Sequence, residues 1–332
     1  MTRDRITPRS TILGTGSCLP ERVVSNRDLE GAVSTTDAWI REHTGIGARH
    51  VLSEGETTSD LAAIAARRAV EAAGLTVADL DMVILATSTG DSPLPATAAR
   101  LQQKIGADLI PSFDVNASSA GFLYAMTIAD QFIASGTFKT ILVVAADAPS
   151  RFLGPADRTG RALFGDGAGA VVLGESAGES GILSTTIHAD GSLHALMGIP
   201  GGGSAAPLDA KSLDEGQHYL RVDGSPLRDV TVRHLTSYSM QALKSARLTS
   251  AELDWVVPQQ GNLRIVDTIS ERLGFPLSRF VLDTEEVGNT LAASIPLALD
   301  RAVRAETIRP GQTVLLCALG AGVSWGAAIV RM

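Results

Sequence analysis

A chain of 332 residues with 45% hydrophobic content is long enough to bury a large core, and its length suits about two domains of ~150 residues each. Its 36 acidic residues outnumber its 28 basic ones, for a formal net charge of -8, and no Lys/Arg run is long enough to follow a phosphate backbone, which sets nucleic acid aside as a partner. No run of about 18 apolar residues is present to span a bilayer, and the opening MTRDRITPRSTILGTGSCLP has no sustained apolar segment followed by a small-residue cleavage site, so a cytoplasmic protein that does not enter membranes is expected.

In chain order, the first strand-like run is STILGTGSC. Gly14 and Gly16 suggest a nucleotide-binding turn, but the third glycine is missing and Pro20 sits where a phosphate-binding helix would run. The other reading, glycines that let backbones approach closely at a strand, is preferred. Cys18 and Cys317 fall in or beside apolar strand-like runs, as buried free thiols do. Without CxxC or HxxxH spacing, neither a disulfide nor a metal site is predicted. Further on, FDVNASSAGFLYA (113–125) crowds small residues where a strand hands over to a helix. Chains present nucleophiles at such points, and the candidates are the hydroxyls of Ser118 and Ser119; taken alone, Ser119 also reads as an ordinary small residue at a helix start. GDGAGAVVL (165–173) has GxGxG spacing but leads into a strand, not a helix.

Laid on itself at an offset of 173 residues, the chain matches AVEAAGLTVADLDMVILAT (69–87) with ALKSARLTSAELDWVVPQQ (242–260). The same offset pairs Asn116 with Asn289, and TFKTILVVAAD (137–147) with PGQTVLLCALG (310–320). Each unit reads as an amphipathic helix, a buried apolar strand, a loop, a small-residue-rich helix and another apolar strand, which predicts α/β layering. The closing strands GAGAVVL and WGAAIV correspond at an offset of 157, so the first unit holds about 16 extra residues near 147–162, a candidate functional loop. Two halves are expected, residues 1–175 and 176–332. Facing each other, they would bring the loops at Ser119 and Asn289 to one shared site.

FDVNASSAGFLYA, LFGDGAGAVVL, VVPQQGNLRIV with VGNTLAASIPLALD, and GAGVSWGAAIVRM together resemble, in order and spacing, the beta-ketoacyl-ACP synthase III family of the thiolase superfamily, from about residue 10 to Met332. The resemblance implies an α/β, five-layered αβαβα thiolase-like fold of two duplicated halves, and a homodimer. It implies an acyl group taken from CoA by a cysteine at the N-terminus of a buried helix, then condensed with malonyl-ACP after decarboxylation. The cysteine position corresponds to Ser119, and the histidine of the family's Pro-His-Gln-x-Asn motif to Gln259 in VPQQGN. The asparagine of the GNT motif is kept as Asn289. An oxyanion hole would use the backbone N–H groups of Ser119 and Ala321, the latter where the family usually has glycine.

A helix N-terminus lowers a thiol pKa of ~8.5 toward neutrality. A serine hydroxyl is not ionised that way; it needs a base within hydrogen-bond reach, worth roughly 10²–10⁴ in rate, and Gln259 cannot serve. His194, in a segment (188–204) that the resemblance puts near the pocket mouth, is the candidate base, with His188 expected to be structural. Decarboxylation relies on donors to the thioester oxygen, and Gln259 with Asn289 still offers two, each typically worth ~3 kcal/mol.

For CoA, entering as substrate with no bound cofactor, the resemblance implies an adenine held between Trp39 and Arg158. His43 replaces an arginine common four residues after that tryptophan. For an acidic acyl-carrier protein it implies docking at Arg264, with Arg228 and Arg233 close by and Asp229 where a lysine is often found.

Three functions compete. One is an acyltransferase working through Ser119 without carbon–carbon bond formation. Another is a condensing enzyme disabled by the Cys→Ser and His→Gln changes, natural or engineered. The third is a non-catalytic subunit that binds an acyl-carrier partner. Departures at Gly261, Leu291 and Ala321, outside the catalytic positions, favour natural divergence over an engineered change.

Overall fold

The computed structural model describes residues 9–332; the first eight residues of the N-terminal stretch read for a leader lie outside them. Strands β1 (Ser10–Cys18), β2 (Met82–Ala86), β3 (Ser112–Val115), β4 (Thr140–Asp147) and β5 (Gly167–Glu175) form one sheet in the order β1-β5-β4-β2-β3. In it β2 runs parallel to β3 and β4, and β5 antiparallel to both its neighbours. Strands β6 (Gly181–Ala189), β7 (Trp255–Pro258), β8 (Thr313–Gly320) and β9 (Ser324–Arg331) form the second, ordered β7-β8-β9-β6. Segment 280–282 continues it. Its Val281 N–H donates to Val256 O at 2.9 Å and Phe280 bridges Val256 in parallel, where a counterpart of β3 would run.

The helices that position the site are α1 (Asp37–Thr44), α2 (Thr58–Ala72), α3 (Thr97–Ile105), α4 (Gly121–Ala134), α5 (Arg158–Leu163), α6 (Gly224–Ser245), α7 (Leu263–Leu273) and α8 (Ser294–Arg304). Side chains alternate across each strand, so one strand serves two cores. Val83 and Leu85 pack outward against α2 and α3, whereas Met82, Ile84 and Ala86 pack inward with Phe122 and Met126 of α4 and Ile295 of α8. On the second sheet Leu315, Cys317 and Leu319 face α6 and α7, and Val314, Leu316 and Ala318 face the shared centre. Outer helices, sheet, α4 with α8, sheet, outer helices: these are the five layers. Cys18 and Cys317 sit in opposite outer cores.

The repeat survives in detail. The turns Val77–Asp79 and Ser250–Glu252 carry matching capping boxes, Thr76 with Asp79 and Thr249 with Glu252. Residues just ahead of α4 and α8, Ser118 and Leu291, take left-handed backbone angles of φ 47° and 49°, a conformation that costs a residue with a Cβ about 1–2 kcal/mol. Gly14 and Gly16 answer the nucleotide question: a Cβ there would lie 2.4 Å from Ala73 N and 2.3 Å from Ala65 O of α2, so they serve strand–helix contact. Among the described residues no helix is long and apolar enough to cross a membrane.

One buried group works against this packing. Among the described residues the Asp283 carboxyl has no hydrogen-bond partner on either oxygen, and the Arg301 guanidinium lies 3.7 Å away. Burial raises its pKa from 3.8 to about 6. The folded chain therefore holds the proton more tightly than the unfolded one, and stability falls as pH rises from about 4 through 6, by up to about 3 kcal/mol. Asp283→Asn is expected to raise the denaturation midpoint at pH 8 and leave it unchanged at pH 4; equal shifts at both pH values would contradict this assignment.

Candidate active site

Each central helix begins with a turn of 3-10 helix, Ser118–Ala120 before α4 and Leu291–Ala293 before α8. Each carries partial positive charge at that end, with no acidic side chain in the first turn. The duplication makes Ser119 the counterpart of Ala292 and Asp147 the counterpart of Gly320 (119 + 173 = 292; 147 + 173 = 320), and here the halves part company. Asp147, wholly buried, accepts the Ala292 N–H at 3.0 Å on one oxygen. Its other oxygen takes the N–H of Ser88 at 2.8 Å and the hydroxyl of Thr89 at 2.7 Å. Burial pushes its pKa up and these donors pull it down, to about 6. At the α4 end Gly320 supplies no side chain, and a Cβ built there would lie 2.5 Å from Ser119 N and 2.7 Å from Ala117 O. The α8 end is neutralised by a carboxylate; the α4 end, with Ser119 only 2% exposed, is left bare.

Ser119, Gln259 and Asn289 line one cavity of about 750 Å³, within the range of small-molecule sites. Gln259 follows the end of β7, its N–H donated to Cys317 O at 2.8 Å. The adjacent Gln260 is consumed structurally: its Nε2 donates to Pro258 O and Val281 O, and its Oε1 accepts from the Thr284 hydroxyl and the Asp283 N–H. Asn289 is oriented by its own turn. Its Oδ1 accepts the Leu291 N–H at 3.0 Å, which leaves the amide NH₂ as the end free to donate into the cavity. Its backbone pairs with the segment that follows the 147–162 insertion, N–H to Leu163 O at 2.9 Å and O from Gly165 N–H at 3.0 Å.

Much of the remaining lining is apolar, Phe164, Leu235 and Ile269 among it, and Arg221, Arg228 and Arg264 add three cations. Among the lining side chains an imidazole, His43, and a carboxylate, Asp157, are the groups with basic atoms, and Asp157 accepts the Gly160 N–H at 2.9 Å as the cap of α5. His43 holds Trp39 O through Nδ1 at 2.8 Å and stacks on the Trp39 ring at 4.4 Å.

The other sequence-derived residues divide. Trp39 and Arg158 are in contact, the guanidinium carbon 4.4 Å from the ring centroid. Arg264 and Arg228 line the cavity, and Arg233, exposed, does not. His194 is corrected: it is exposed, bonded through Nδ1 to Gly191 O at 3.1 Å, and absent from the cavity wall, because the 3-10 turn Gly191–Leu196 carries it outward. Ala321 is also outside the wall; its methyl packs with Phe164, Met197 and Leu291, and Gly320 takes the lining position. His188 stacks with Tyr238 and Trp325, a structural role. Sequence reasoning missed Arg221, which reaches the cavity from a two-residue strand (Arg221–Val222) paired with Met197–Gly198. It treated His43 only as a departure, although its place four residues after Trp39 on one helix was a usable signal.

Two sheets clasping a pair of central helices, with Ser119 at the start of one and Asn289 just ahead of the other on a common cavity, define the thiolase-like class. A profile described as 3-oxoacyl-[acyl-carrier-protein (ACP)] synthase III matches residues 113–191, and its C-terminal counterpart residues 243–332. The chain is 46% identical over 320 residues to the beta-ketoacyl-[acyl-carrier-protein] synthase III of Thioalkalivibrio sulfidiphilus, covering 96% of this chain and 98% of the relative. The crystal structure of 3-oxoacyl-[acyl-carrier-protein] synthase III from Aquifex aeolicus superimposes with a TM-score of 0.90 at 38% identity, covering 97% of this chain and 100% of that one. The priming beta-ketosynthase of a polyketide biosynthetic pathway does so at 0.90 and 34%, covering 98% and 97%. The chain belongs to the beta-ketoacyl-[acyl-carrier-protein] synthase III family.

Proposed function

We propose that the protein takes an acyl group from acyl-CoA or an acyl-carrier protein onto Ser119 and passes it to an acceptor, as a divergent synthase III in fatty-acid or polyketide-type metabolism of the cytoplasm. Ser119 and Gln259 stand, in this reading, at the family's cysteine and histidine positions, and Asn289 at its asparagine. One observation carries it: the hydroxyl at the bare helix end shares a cavity with two carboxamides. Ser119 Oγ attacks the thioester carbonyl, the C–S bond breaks, and an oxygen ester forms as the CoA thiol leaves with the proton. His43, the imidazole in the cavity wall, replaces His194 as the group that relays that proton. Backbone N–H groups at the α4 end stabilise the oxyanion, with Gly320 rather than Ala321 shaping that wall.

Intact-protein mass after incubation with a panel of acyl-CoAs tests this. The expected result is an adduct of the acyl mass, mapped to the Ser119 peptide and absent from Ser119→Ala; binding without adduct would favour the non-catalytic subunit.

A second reading is favoured by the orientation of Asn289, whose NH₂ remains a donor. Decarboxylation of malonyl-ACP needs donors to the thioester oxygen and no nucleophile. Asn289→Ala is expected to slow acetyl-ACP formation from malonyl-ACP by about 10²–10³; an unchanged rate would remove Asn289 from that role. The cationic lining residues Arg228 and Arg264 suit the phosphate of a carrier's pantetheine arm. A homodimer is the expected assembly, supported by β3 as an open sheet edge and by Leu109, fully exposed three residues ahead of it.

A further inference from the structure

We propose that Arg49 is a positioning residue that fixes the spacing of the two sides of an adenine clamp, Trp39 on α1 and Arg158 on α5. The inference rests on the CoA reading of that pair.

Arg49 belongs to the short strand Ala48–His50, paired with Val23–Ser25. It is 1% exposed, a cation held inside the protein. Burial draws its pKa down to about 10, so it stays charged at neutral pH. Its Nε has no hydrogen-bond partner among the described residues, so the charge is held by the two Nη groups, which reach three acceptors on two segments, 24–26 and the end of α5. Nη1 donates to Val24 O at 3.1 Å. Nη2 donates to Ala162 O at 2.7 Å, in the last turn of α5, and to Asn26 Oδ1 at 2.8 Å.

Asn26 passes the connection on. Its Nδ2 donates to Asp37 Oδ1 at 2.8 Å and to Ile46 O at 2.7 Å, gripping α1 at its first residue and just past its end. The path Ala162–Arg49–Asn26–Asp37 therefore joins the helix of Arg158 to the helix of Trp39 behind the clamp. In front, Arg158 lies over the Trp39 ring at 4.4 Å and donates to Ser34 O at 3.4 Å. At that spacing no base fits between ring and guanidinium. The flexible Arg158 side chain must swing aside while the helices behind it hold their separation. A lysine at 49 keeps the charge but has a single nitrogen that cannot reach all three acceptors as a planar fork does.

The test uses the full-length protein and two probes, free CoA and 4'-phosphopantetheine, titrated calorimetrically, with thermal melts as the fold control. Variants are Arg49→Lys, Asp37→Ala and Trp39→Ala. Arg49→Lys and Asp37→Ala are expected to weaken CoA about tenfold, the scale of one lost stacking contact, and to leave 4'-phosphopantetheine within about twofold of the parent. A folded Arg49→Lys that binds CoA like the parent overturns the inference, and so does equal weakening of both probes, which marks a merely structural residue. Where Arg49→Lys melts early, Asp37→Ala, at a half-exposed carboxylate, decides by the same criteria. Trp39→Ala separates the two levels. If it leaves CoA affinity unchanged, the CoA reading fails and takes the inference with it; if it weakens CoA while Arg49→Lys and Asp37→Ala do not, the inference alone fails.

Discussion

Ser119→Cys combined with Gln259→His is expected to raise acyl condensation with malonyl-ACP by roughly 10² or more over the parent chain. The cysteine step acts through the α4 end, which no carboxylate neutralises. A thiol there is shifted toward thiolate without any base, whereas the serine hydroxyl is not. Ser119→Cys alone should therefore speed adduct formation from acyl-CoA, measured by intact mass against time, and leave condensation slow. Gln259→His adds a titratable donor to the cavity that Asn289 also lines, and condensation should rise only in the double variant. An adduct that forms rapidly while condensation stays at the parental rate in the double variant would place residue 259 outside the reacting geometry. A gain from Ser119→Cys alone equal to that of the pair would do the same.

Gly320→Ala is expected to damage both the fold and the site. The added carbon would meet two backbone atoms, Ser119 N at 2.5 Å and Ala117 O at 2.7 Å, and neither can rotate away as a side chain could. Displacing the Ser118–Ala120 turn also disturbs Ser118, already held at φ 47°. The cost is expected at the upper end of overpacking, about 3 kcal/mol, read as a lowered denaturant midpoint, together with complete loss of the Ser119 adduct. Ala321→Gly, one residue on, should change both measurements little, because that methyl packs in an apolar cluster beside the cavity. The reverse order of effects would return the oxyanion wall to Ala321.

The layering was legible because duplication wrote it twice. The apolar runs TILVVAAD and TVLLCALG correspond at one offset, and the structure sets each at an interior position of its sheet. Ser119, Gln259 and Asn289 were legible through the resemblance to the family's motifs, and they share a cavity. Contacts made across long separations were not. The role of Asp147 depends on Ala292, 145 residues away, and before folding it looks like any acid at a strand end. Segment 280–282 is too short to announce a strand, and its place follows from a single bridge to Val256. His194 failed for a similar reason: proximity in sequence to a pocket-forming segment says nothing about which way a 3-10 turn points its ring.

The contrast between Asp147 and Gly320 has a consequence for how this chain tolerates change. With an empty position at both strand ends the chain would have two equivalent anion-stabilising tips. The acid at 147 makes one tip a rivet between the halves and leaves the other bare. Substitutions around 292–294 should therefore be felt first as loss of folded protein, and those around 119–121 as loss of turnover in a chain that still folds. A deep mutational scan reading abundance and acylation separately would display that division along the 173-residue register.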